Sequence, residues 1–387
     1  MPQILLLMAK NGLRNKLRTL LTVAVIAVAV IAYSFLQTVL VAYNIGVEAS
    51  SDNRLVTRHR VSLFNLLPVS QKEKIAAVPG VTQVNQGIWF GGYYKDPKQF
   101  FGQIAVSPEY LDLYPEFQLS AEQRQAWLAE RRGAVVGRKL AERFGWKLED
   151  RIVLTGTIFS GDWELIIKGI YTGRERSTDE TAMFFHWRLI DERLQAAGVG
   201  SQVGWWVVGV QDPSRNAEVS DAVDALFINS SNPTLTETEK EFNKSFLSMM
   251  GSILTIIQVA SGIVIGIILL IMANTMMMAA RERITEYGVL KTLGFRASHL
   301  TLLIGGEAAV ISFLGAAAGC VLAFGLVAVM GARIEELMGS IFPVFELRGV
   351  TIAVSIGLAM LAGLAASSVP IVRAARLSIV DSLRRVG

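Results

Sequence analysis

The sequence predicts an α-helical membrane protein with four transmembrane helices and a large α+β extracytoplasmic domain. Of its 387 residues, 52% are hydrophobic and 18% are charged, which is too apolar for an average soluble protein. The chain also contains four apolar segments, each longer than the ~20 residues that a helix needs to cross a bilayer. Between the first two segments, residues 48–244 have ordinary soluble composition.

Residues 1–18 are predicted to form a cytoplasmic amphipathic N-terminal helix. An apolar run at 4–8 is followed by Lys10, Arg14, Lys16 and Arg18. Such a helix would bury its apolar part in the interface and bring its cations near anionic headgroups. The alternative is the basic flank of a signal anchor.

The first two spans are longer than the membrane requires. At 1.5 Å per residue, residues 19–47 would reach about 43 Å and residues 245–280 about 54 Å, against a hydrocarbon core of ~30 Å. Each segment is therefore predicted to combine a transmembrane helix with a projecting stalk. Alternatively, helix tilt absorbs the excess length.

The segment 48–244 shows both strand and helix patterns. Strands are predicted at 54–64, 87–94, 102–106, 151–156, 164–171 and 201–211, and helices at 69–77, 108–114, 121–131, 137–144 and 216–227. Aromatic pairs recur here: Trp89-Phe90, Tyr93-Tyr94, Phe100-Phe101 and Trp205-Trp206. Since neighbours on a strand face opposite sides, one ring of each pair can enter the core. The other ring either packs between subdomains or offers a surface to a ligand.

Residues 281–300 form a charged segment between the second and third spans. A helix here would carry Val289, Leu290 and Leu293 on one side and Glu282 and Glu286 on another. Gly294 follows the last apolar position, where a left-handed backbone favours glycine. Periodicity alone leaves open a solvated loop whose cations only fix the topology.

The remaining chain is predicted as a third span at 301–332, a short extracytoplasmic loop at 333–348, a fourth span at 349–372 and a cytoplasmic tail at 373–387. Basic residues cluster in 1–18, in 281–300 and after 372. The positive-inside rule then places both termini and 281–300 in the cytoplasm, and 48–244 and 333–348 outside.

Five residues within the spans are predicted to serve helix packing. Gly262 and Gly266, and likewise Gly315 and Gly319, have the spacing that permits close approach of membrane helices. Glu307 opens the third span at a depth where a carboxylate is costly unless it pairs or reaches water. The alternative is that Glu307 only marks the cytoplasmic interface.

The residue inventory gives no catalytic, cofactor or metal site. Cys320 is the only cysteine, and the three histidines His59, His186 and His299 lack zinc-site spacing. No phosphate-binding loop of the form Gly-x-x-x-x-Gly-Lys-Ser/Thr occurs, so ATP hydrolysis would have to come from a partner. The cations lie beside the spans instead of along one stripe, which argues against a nucleic-acid partner.

The segment 281–300 resembles the coupling helix of the FtsX/MacB-type ABC transporter permeases, the type VII or mechanotransmission family. The pattern Arg-x-x-Glu-x-Gly-x-x-Lys-x-Leu-Gly is carried by Arg283, Glu286, Gly288, Lys291, Leu293 and Gly294, with Leu290 on the apolar face. The turn Val78-Pro79-Gly80-Val81 and the stretch from Val136 to Gly145 are similar to the MacB-type periplasmic core, which has porter-like and Sabre subdomains. The family also commonly has an acidic residue near the position of Glu307.

The resemblance implies the permease subunit of an inner-membrane transporter of the split form, without a fused ATPase. Expected partners are a separate ABC ATPase that binds ATP, a second permease copy or paralogue in a dimer, and membrane lipids. The sequence leaves open whether a periplasmic adaptor and an outer-membrane channel also attach. The expected function is export or extraction of a substrate from the periplasm or outer leaflet. The alternatives are an FtsX-like regulator of signalling or cell-wall hydrolases, and a membrane-anchored receptor, which would not need the pattern at 283–294.

Overall fold

The computed structural model describes residues 16–48, 51, 53–248, 251–339 and 341–376. The described chain divides into two compact units. One is a helix bundle formed by the segments up to Val41, Ser252–Met330 and the chain from Glu346 onwards. The other is a mixed α/β domain, Ala42–Gly251, which also includes Gly331–Phe345. Most of the helix predicted at 1–18 and the tail from residue 377 lie outside the described residues.

The α-helices of the described residues are α1 (Lys16–Glu48), α2 (Gln71–Ala76), α3 (Ala121–Ala129), α4 (Arg138–Phe144), α5 (Arg188–Ala196), α6 (Asn216–Ala225), α7 (Glu239–Ser248), α8 (Gly251–Glu282), α9 (Ile284–Thr292), α10 (Ala297–Met338) and α11 (Gly349–Arg376). Among them α1, α8, α10 and α11 are long and apolar enough to span a membrane, which agrees with the four predicted spans. Short 3₁₀ turns occur at Tyr110–Leu113 and Pro213–Arg215.

The strands are β1 (Arg54–His59), β2 (Leu67–Pro68), β3 (Val81–Trp89), β4 (Gly92–Tyr93), β5 (Gln103–Val106), β6 (Phe117–Gln118), β7 (Gly133–Gly137), β8 (Arg151–Gly156), β9 (Gly161–Gly173), β10 (Met183–His186), β11 (Gln202–Val203), β12 (Trp205–Val210) and β13 (Thr234–Thr238). The large sheet has the order β13-β1-β12-β3-β5-β10-β7-β9-β8-β4, with β6 paired to β9. Pairing is parallel between β5 and β10 and between β7 and β9. The chain therefore enters and leaves this sheet at one end, where β1 lies between β12 and β13.

Three of the four aromatic pairs divide between core and surface as predicted. Phe90, Phe101 and Trp206 are buried, while their neighbours Trp89, Phe100 and Trp205 are more exposed. The more exposed member has a ring contact in all three pairs: Trp89 stacks on Phe100 at 5.8 Å between ring centroids, and Trp205 lies 6.4 Å from the ring of Phe242. In the pair Tyr93-Tyr94 both rings are half-buried. Tyr93 ends the two-residue edge strand β4, and Tyr94 follows it and packs against the domain core.

Several short strands were not predicted from the sequence. The run Gly133–Gly137 forms the fully buried strand β7, and Met183–His186 forms the equally buried β10. A buried strand of four or five residues has no alternation of apolar and polar positions, so its pattern does not distinguish it from other apolar segments. The strand β13 was missed for a different reason, because its threonines and glutamate read as polar loop.

The predicted loop at 333–348 is wrong in its first part, because α10 continues to Met338. Arg333, Glu335 and Glu336 end the apolar stretch, but all three are good helix formers, and Arg333 pairs with Glu336 one turn on. Within the mixed α/β domain this segment has its own contacts. Glu335 accepts a hydrogen bond from Lys139 Nζ at 3.2 Å and one from the backbone N–H of Phe345 at 2.8 Å.

Small residues bring α10 close to α1 within the bundle. A Cβ added at Gly315 would lie 2.7 Å from Ile26, and one at Gly319 would lie 2.7 Å from the carbonyl oxygen of Ala27. Gly262 and Gly266 on α8 differ, since an added Cβ would meet no atom of the described residues within 4 Å. The same spacing of glycines thus corresponds to a tight contact in one helix and to an open face in the other.

Hydroxyl groups complete the contacts of α1. Ser34 hydrogen-bonds Ser355 of α11 at 3.0 Å, and Thr22 lies 3.4 Å from the hydroxyl of Thr275 in α8. Each of these hydroxyls lies at a buried position. A polar group in hydrocarbon needs an internal partner, so these pairs fix which faces of the helices meet.

Candidate functional site

The helix α9 lies between two membrane-spanning helices and ends in a well-defined turn. Gly294 adopts the left-handed conformation that the sequence predicted, with φ of 89°. Its N–H donates to the carbonyl of Lys291 at 3.1 Å, and the N–H of Phe295 donates to that of Leu290 at 3.0 Å. These two bonds form a Schellman motif, which satisfies carbonyls that the helix end would leave unpaired. The helix itself is shorter than the predicted 281–300, because α8 runs through Glu282 and α10 begins at Ala297.

Arg283 immediately precedes α9 and joins it to α10. Its Nη1 donates to Glu307 Oε2 at 2.8 Å, and the two side chains are only 5% and 6% exposed. Glu307 therefore has the partner that its depth requires. Arg283 was assigned from the sequence to contact a partner protein, but its guanidinium is instead buried against the bundle. A buried pair of this kind is strongly destabilised when one member is removed, because the other charge is left uncompensated.

Two further side chains of α9 are directed towards the bundle. Lys291 Nζ donates to the carbonyl oxygen of Ala375 at 2.8 Å, which links α9 to the end of α11. Leu290 packs on a cluster that contains Tyr287, Leu300 and Ala374. The sequence grouped Leu290 with Val289 and Leu293 on one docking face, and the structure corrects this: a step of one residue turns a side chain by about 100° around the helix axis.

The opposite side of α9 is apolar and exposed. Val289 is 44% exposed, Leu293 71% and Phe295 43%. Glu286 is also exposed beside this patch. We call Val289, Leu293 and Phe295 the outer patch of α9. Phe295 is held in place by its Schellman turn and by an edge contact with the His299 ring, 5.6 Å between centroids.

The motif residues thus divide into two sets. Arg283, Gly288 and Lys291 are buried or bonded to the bundle, while Glu286 and Leu293 are exposed. Glu282, the last residue of α8, pairs with Arg18 of α1 at 2.6 Å, a contact that the sequence did not predict. The pairing of Glu307 had a usable signal: an acid in an apolar span needs a cation, and the nearest cations in sequence are those of 281–296.

The mixed α/β domain has a buried arginine of its own that sequence reasoning missed. Arg54, at the start of β1, donates from Nε to Glu239 at 2.7 Å and from Nη2 to Glu116 at 2.6 Å. It also donates to the carbonyl oxygen of Leu113 and lies 4.1 Å from the centre of the Tyr114 ring. Burial opposes the charge on Arg54, but the attraction of Glu239 and Glu116 more than compensates and raises its pKa. Residue 54 begins the first strand and residue 239 the last helix, so this cluster ties together the two ends of the domain.

Comparison with protein families identifies both parts of the chain. Residues 19–226, more than half of the chain, match the model of the MacB-like periplasmic core domain. Residues 258–379, which include α9 and the last two long helices, match the model of the FtsX-like permease C-terminal region. No curated protein matches the chain.

Two solved structures are similar to parts of the chain. The extracellular domain of the noncanonic ABC-type transporter YknZ from Gram-positive bacteria is 12% identical, with a TM-score of 0.36, over 48% of this chain and 99% of that one. The periplasmic region of MacB from Actinobacillus actinomycetemcomitans is 10% identical, with a TM-score of 0.37, over 50% of this chain and 92% of that one.

Proposed function

The chain belongs to the FtsX/MacB-type ABC transporter permeases, and from this premise we propose that it couples ATP hydrolysis by a separate ATPase subunit to motion of its MacB-like domain. The permease would act as a dimer with a second copy or a paralogue. It would export or extract a substrate from the periplasm or outer leaflet. Because ATP would be bound by the partner, the chain itself would have no catalytic residue.

The observation that carries this proposal is the two-sided character of α9. One side offers the outer patch, with a 71% exposed leucine at its centre. The other side is bonded to α10 through Arg283 and to α11 through Lys291. A force applied to the outer patch would therefore reach two membrane helices through a buried ion pair and a hydrogen bond. A loop without such contacts would not transmit this force to the membrane helices.

The helix α10 is the element that we propose receives this force. It is continuous over Ala297–Met338 and carries Glu307, the partner of Arg283, near its start. Near its end it carries Glu335, the partner of Lys139. An unbroken helix is stiff compared with a loop, so a shift at Glu307 would be felt along its whole length.

The proposal includes a topology in which residues 281–300 face the cytoplasm and the MacB-like domain faces outside, in the inner membrane. It is supported by the basic clusters near the span ends. Single cysteines at Ser160 and Ser298, both exposed, would report it in a Cys320→Ala background. We expect a membrane-impermeant thiol reagent to label only the cysteine at 160 in intact cells. Equal labelling of both positions would overturn the topology.

The coupling role is tested by placing a charge in the outer patch. Leu293→Asp would put a carboxylate into an apolar interface, which costs several kcal/mol and corresponds to a loss of roughly 100-fold or more in affinity. Since Leu293 is largely exposed in the permease, the variant should fold and insert normally. We expect it to lose co-purification with the cognate ATPase and to lose stimulation of ATP hydrolysis.

A matched control is available in the MacB-like domain. Val61 is 77% exposed, close to the value for Leu293, and lies in a loop far from α9 in sequence. Val61→Asp should leave ATPase binding at the wild-type level. If Leu293→Asp also retains full binding and stimulation, α9 is not the docking element and the coupling proposal is wrong.

A further inference from the structure

We propose that a cavity at the ends of α8 and α11 is a binding site for the phosphate headgroup of an anionic phospholipid. The cavity lies within the helix bundle, has a volume of about 460 Å³ and is lined partly by the turn into α9. This volume falls within the usual range for small-molecule sites, about 300–1,000 Å³. Its lining combines apolar side chains with two arginines. The proposal rests on the topology proposed above, which places this end of the bundle at the cytoplasmic leaflet.

The two charged side chains that line the cavity among the described residues are both cationic. Arg281 and Arg373 both line it, and neither forms an ion pair with a carboxylate of the described residues. The contact recorded for Arg373 is a weak one, from Nη1 to Met277 Sδ at 3.6 Å. Nearby carboxylates have other partners: Glu282 pairs with Arg18, and Glu307 with Arg283. Two guanidinium groups that line one cavity can donate bidentate hydrogen bonds to phosphate oxygens.

The remaining lining explains why the ligand would be a lipid. Met277, Ala280, Ile284 and Pro370 supply apolar walls, and Tyr287 also lines the cavity. Tyr287 is 3% exposed, and burial raises its pKa to about 12, so it stays a neutral hydrogen-bonding group. Met277 and Pro370 belong to membrane-spanning helices whose outer surfaces are apolar. A phosphate bound between the arginines could therefore keep its acyl chains on those helices.

The alternative is that Arg281 and Arg373 have only a nonspecific electrostatic role. Cations at the C-terminal ends of helices interact favourably with the helix dipole, and cytoplasmic cations attract anionic lipids without any defined site. Those effects do not require a cavity, and they apply equally to an arginine outside it. Arg296 provides this comparison, because it is exposed, lies between α9 and α10, and does not line the cavity.

The test is lipid binding to the purified full-length permease, without an ATPase, measured by native mass spectrometry. The probes are dioleoylphosphatidylglycerol, dioleoylphosphatidylcholine and inorganic phosphate. We expect phosphatidylglycerol to bind at least tenfold more tightly than phosphatidylcholine, and inorganic phosphate not to displace it. The double variant Arg281→Gln/Arg373→Gln should weaken phosphatidylglycerol binding by roughly tenfold or more, and Arg296→Gln by no more than about twofold.

A second variant separates the cavity from its charge. Ala280→Phe fills the space while both arginines remain, and we expect it to weaken phosphatidylglycerol binding as the double variant does. Normal binding by Ala280→Phe, equal binding of both lipids, or displacement by phosphate alone would each overturn the lipid site. Leu293→Asp should bind lipid like the wild type, so failure of the coupling proposal and failure of this one are distinguishable.

Discussion

The helix bundle and the MacB-like domain both bury an arginine, but they use it differently. In the domain, Arg54 contacts two carboxylates, a carbonyl oxygen and a tyrosine ring, and it joins segments of one folded unit. In the bundle, Arg283 connects a short surface helix to a membrane-spanning one. The first arrangement stabilises a fold, whereas the second joins an exposed element to a buried one. Burial alone therefore does not identify a functional arginine, because its role depends on which elements it connects.

The two regions also differ in how they fill their interiors. The domain core contains the large side chains Trp127, Trp206 and Phe185. The bundle core combines aliphatic side chains such as Met272 with small residues such as Ala308, and glycines lie at the closest contacts. In water, burying large apolar side chains drives folding, while lipid offers no such gain between helices, so close approach and hydrogen bonds decide the packing.

The largest expected effect on stability concerns Arg54. Replacing it by Met would leave Glu239 and Glu116 close together without their cation, at a cost of about 3–5 kcal/mol. For a domain of this size, this should lower the melting temperature by roughly 10 °C. Arg132→Met is the control: its partner Glu164 and Arg132 itself are about 40% exposed, so its loss should cost less than about 1 kcal/mol. Similar melting temperatures for the two variants would show that the Arg54 cluster is not a stabilising element.

The ion pair between Arg283 and Glu307 should contribute the next largest effect on stability. Each of Arg283→Gln and Glu307→Gln should destabilise the purified permease by about 3 kcal/mol, because each leaves one buried charge unpaired. The double variant should be less destabilised than the sum of the two, since it contains neither charge. Thermal unfolding in detergent measures this cycle.

The same double variant also tests the role of the pair. If Arg283 mainly connects α9 to α10, the double variant should regain most of its stability and still fail to stimulate the ATPase. Strict additivity of the two single effects would mean that the pair does not interact. Full ATPase stimulation by the double variant would show that Arg283, like Arg54, only stabilises the fold.

A smaller effect is expected from overpacking in the bundle. Gly315→Leu would place a side chain where even a Cβ would lie 2.7 Å from Ile26, so it should cost about 1–3 kcal/mol. Gly262→Leu introduces the same side chain on α8, where nothing of the described residues lies within 4 Å. We expect the melting temperature to fall only for Gly315→Leu. Equal losses would indicate that the face around Gly262 is also packed, as it would be against a second copy.

The smallest effect is a pH dependence in the domain. His186 stacks on Trp127 at 4.7 Å between ring centroids, and burial lowers its pKa below the ordinary value of 6.5. The unfolded chain therefore binds a proton more readily than the folded one. The contribution of neutral His186 to the free energy of unfolding should be fully present above pH 6.5. It should decrease as the pH falls through that value. His186→Gln should reduce this slope in unfolding measured between pH 8 and pH 5.5. An unchanged slope would show that His186 does not contribute.

The four transmembrane helices, the class of the domain and the family were all predictable from the sequence alone. Lipid requires long uncharged helices, so the four spans are visible as composition alone, without knowledge of any contact. The position of Gly294 was likewise predictable, because a left-handed residue after a helix is a local requirement. These features depend on neighbours in the chain.

Tertiary structure decided everything that depends on which distant residues meet. The sequence grouped Leu290 with Val289 and Leu293 on one face, but packing against Tyr287 and Ala374 turns it inward. From the sequence, Arg283 was assigned to ATPase coupling and Glu307 to helix packing. Only the fold shows that the two side chains, 24 residues apart, form an ion pair. The segments β7 and β10 form strands because they pair with neighbouring strands of the sheet. Glycines at the same spacing differ between α8 and α10 because, among the described residues, a neighbouring helix lies against the glycines of α10 and none lies against those of α8. In each case the deciding contact joins residues that are distant in the sequence, and the local pattern by itself does not specify it.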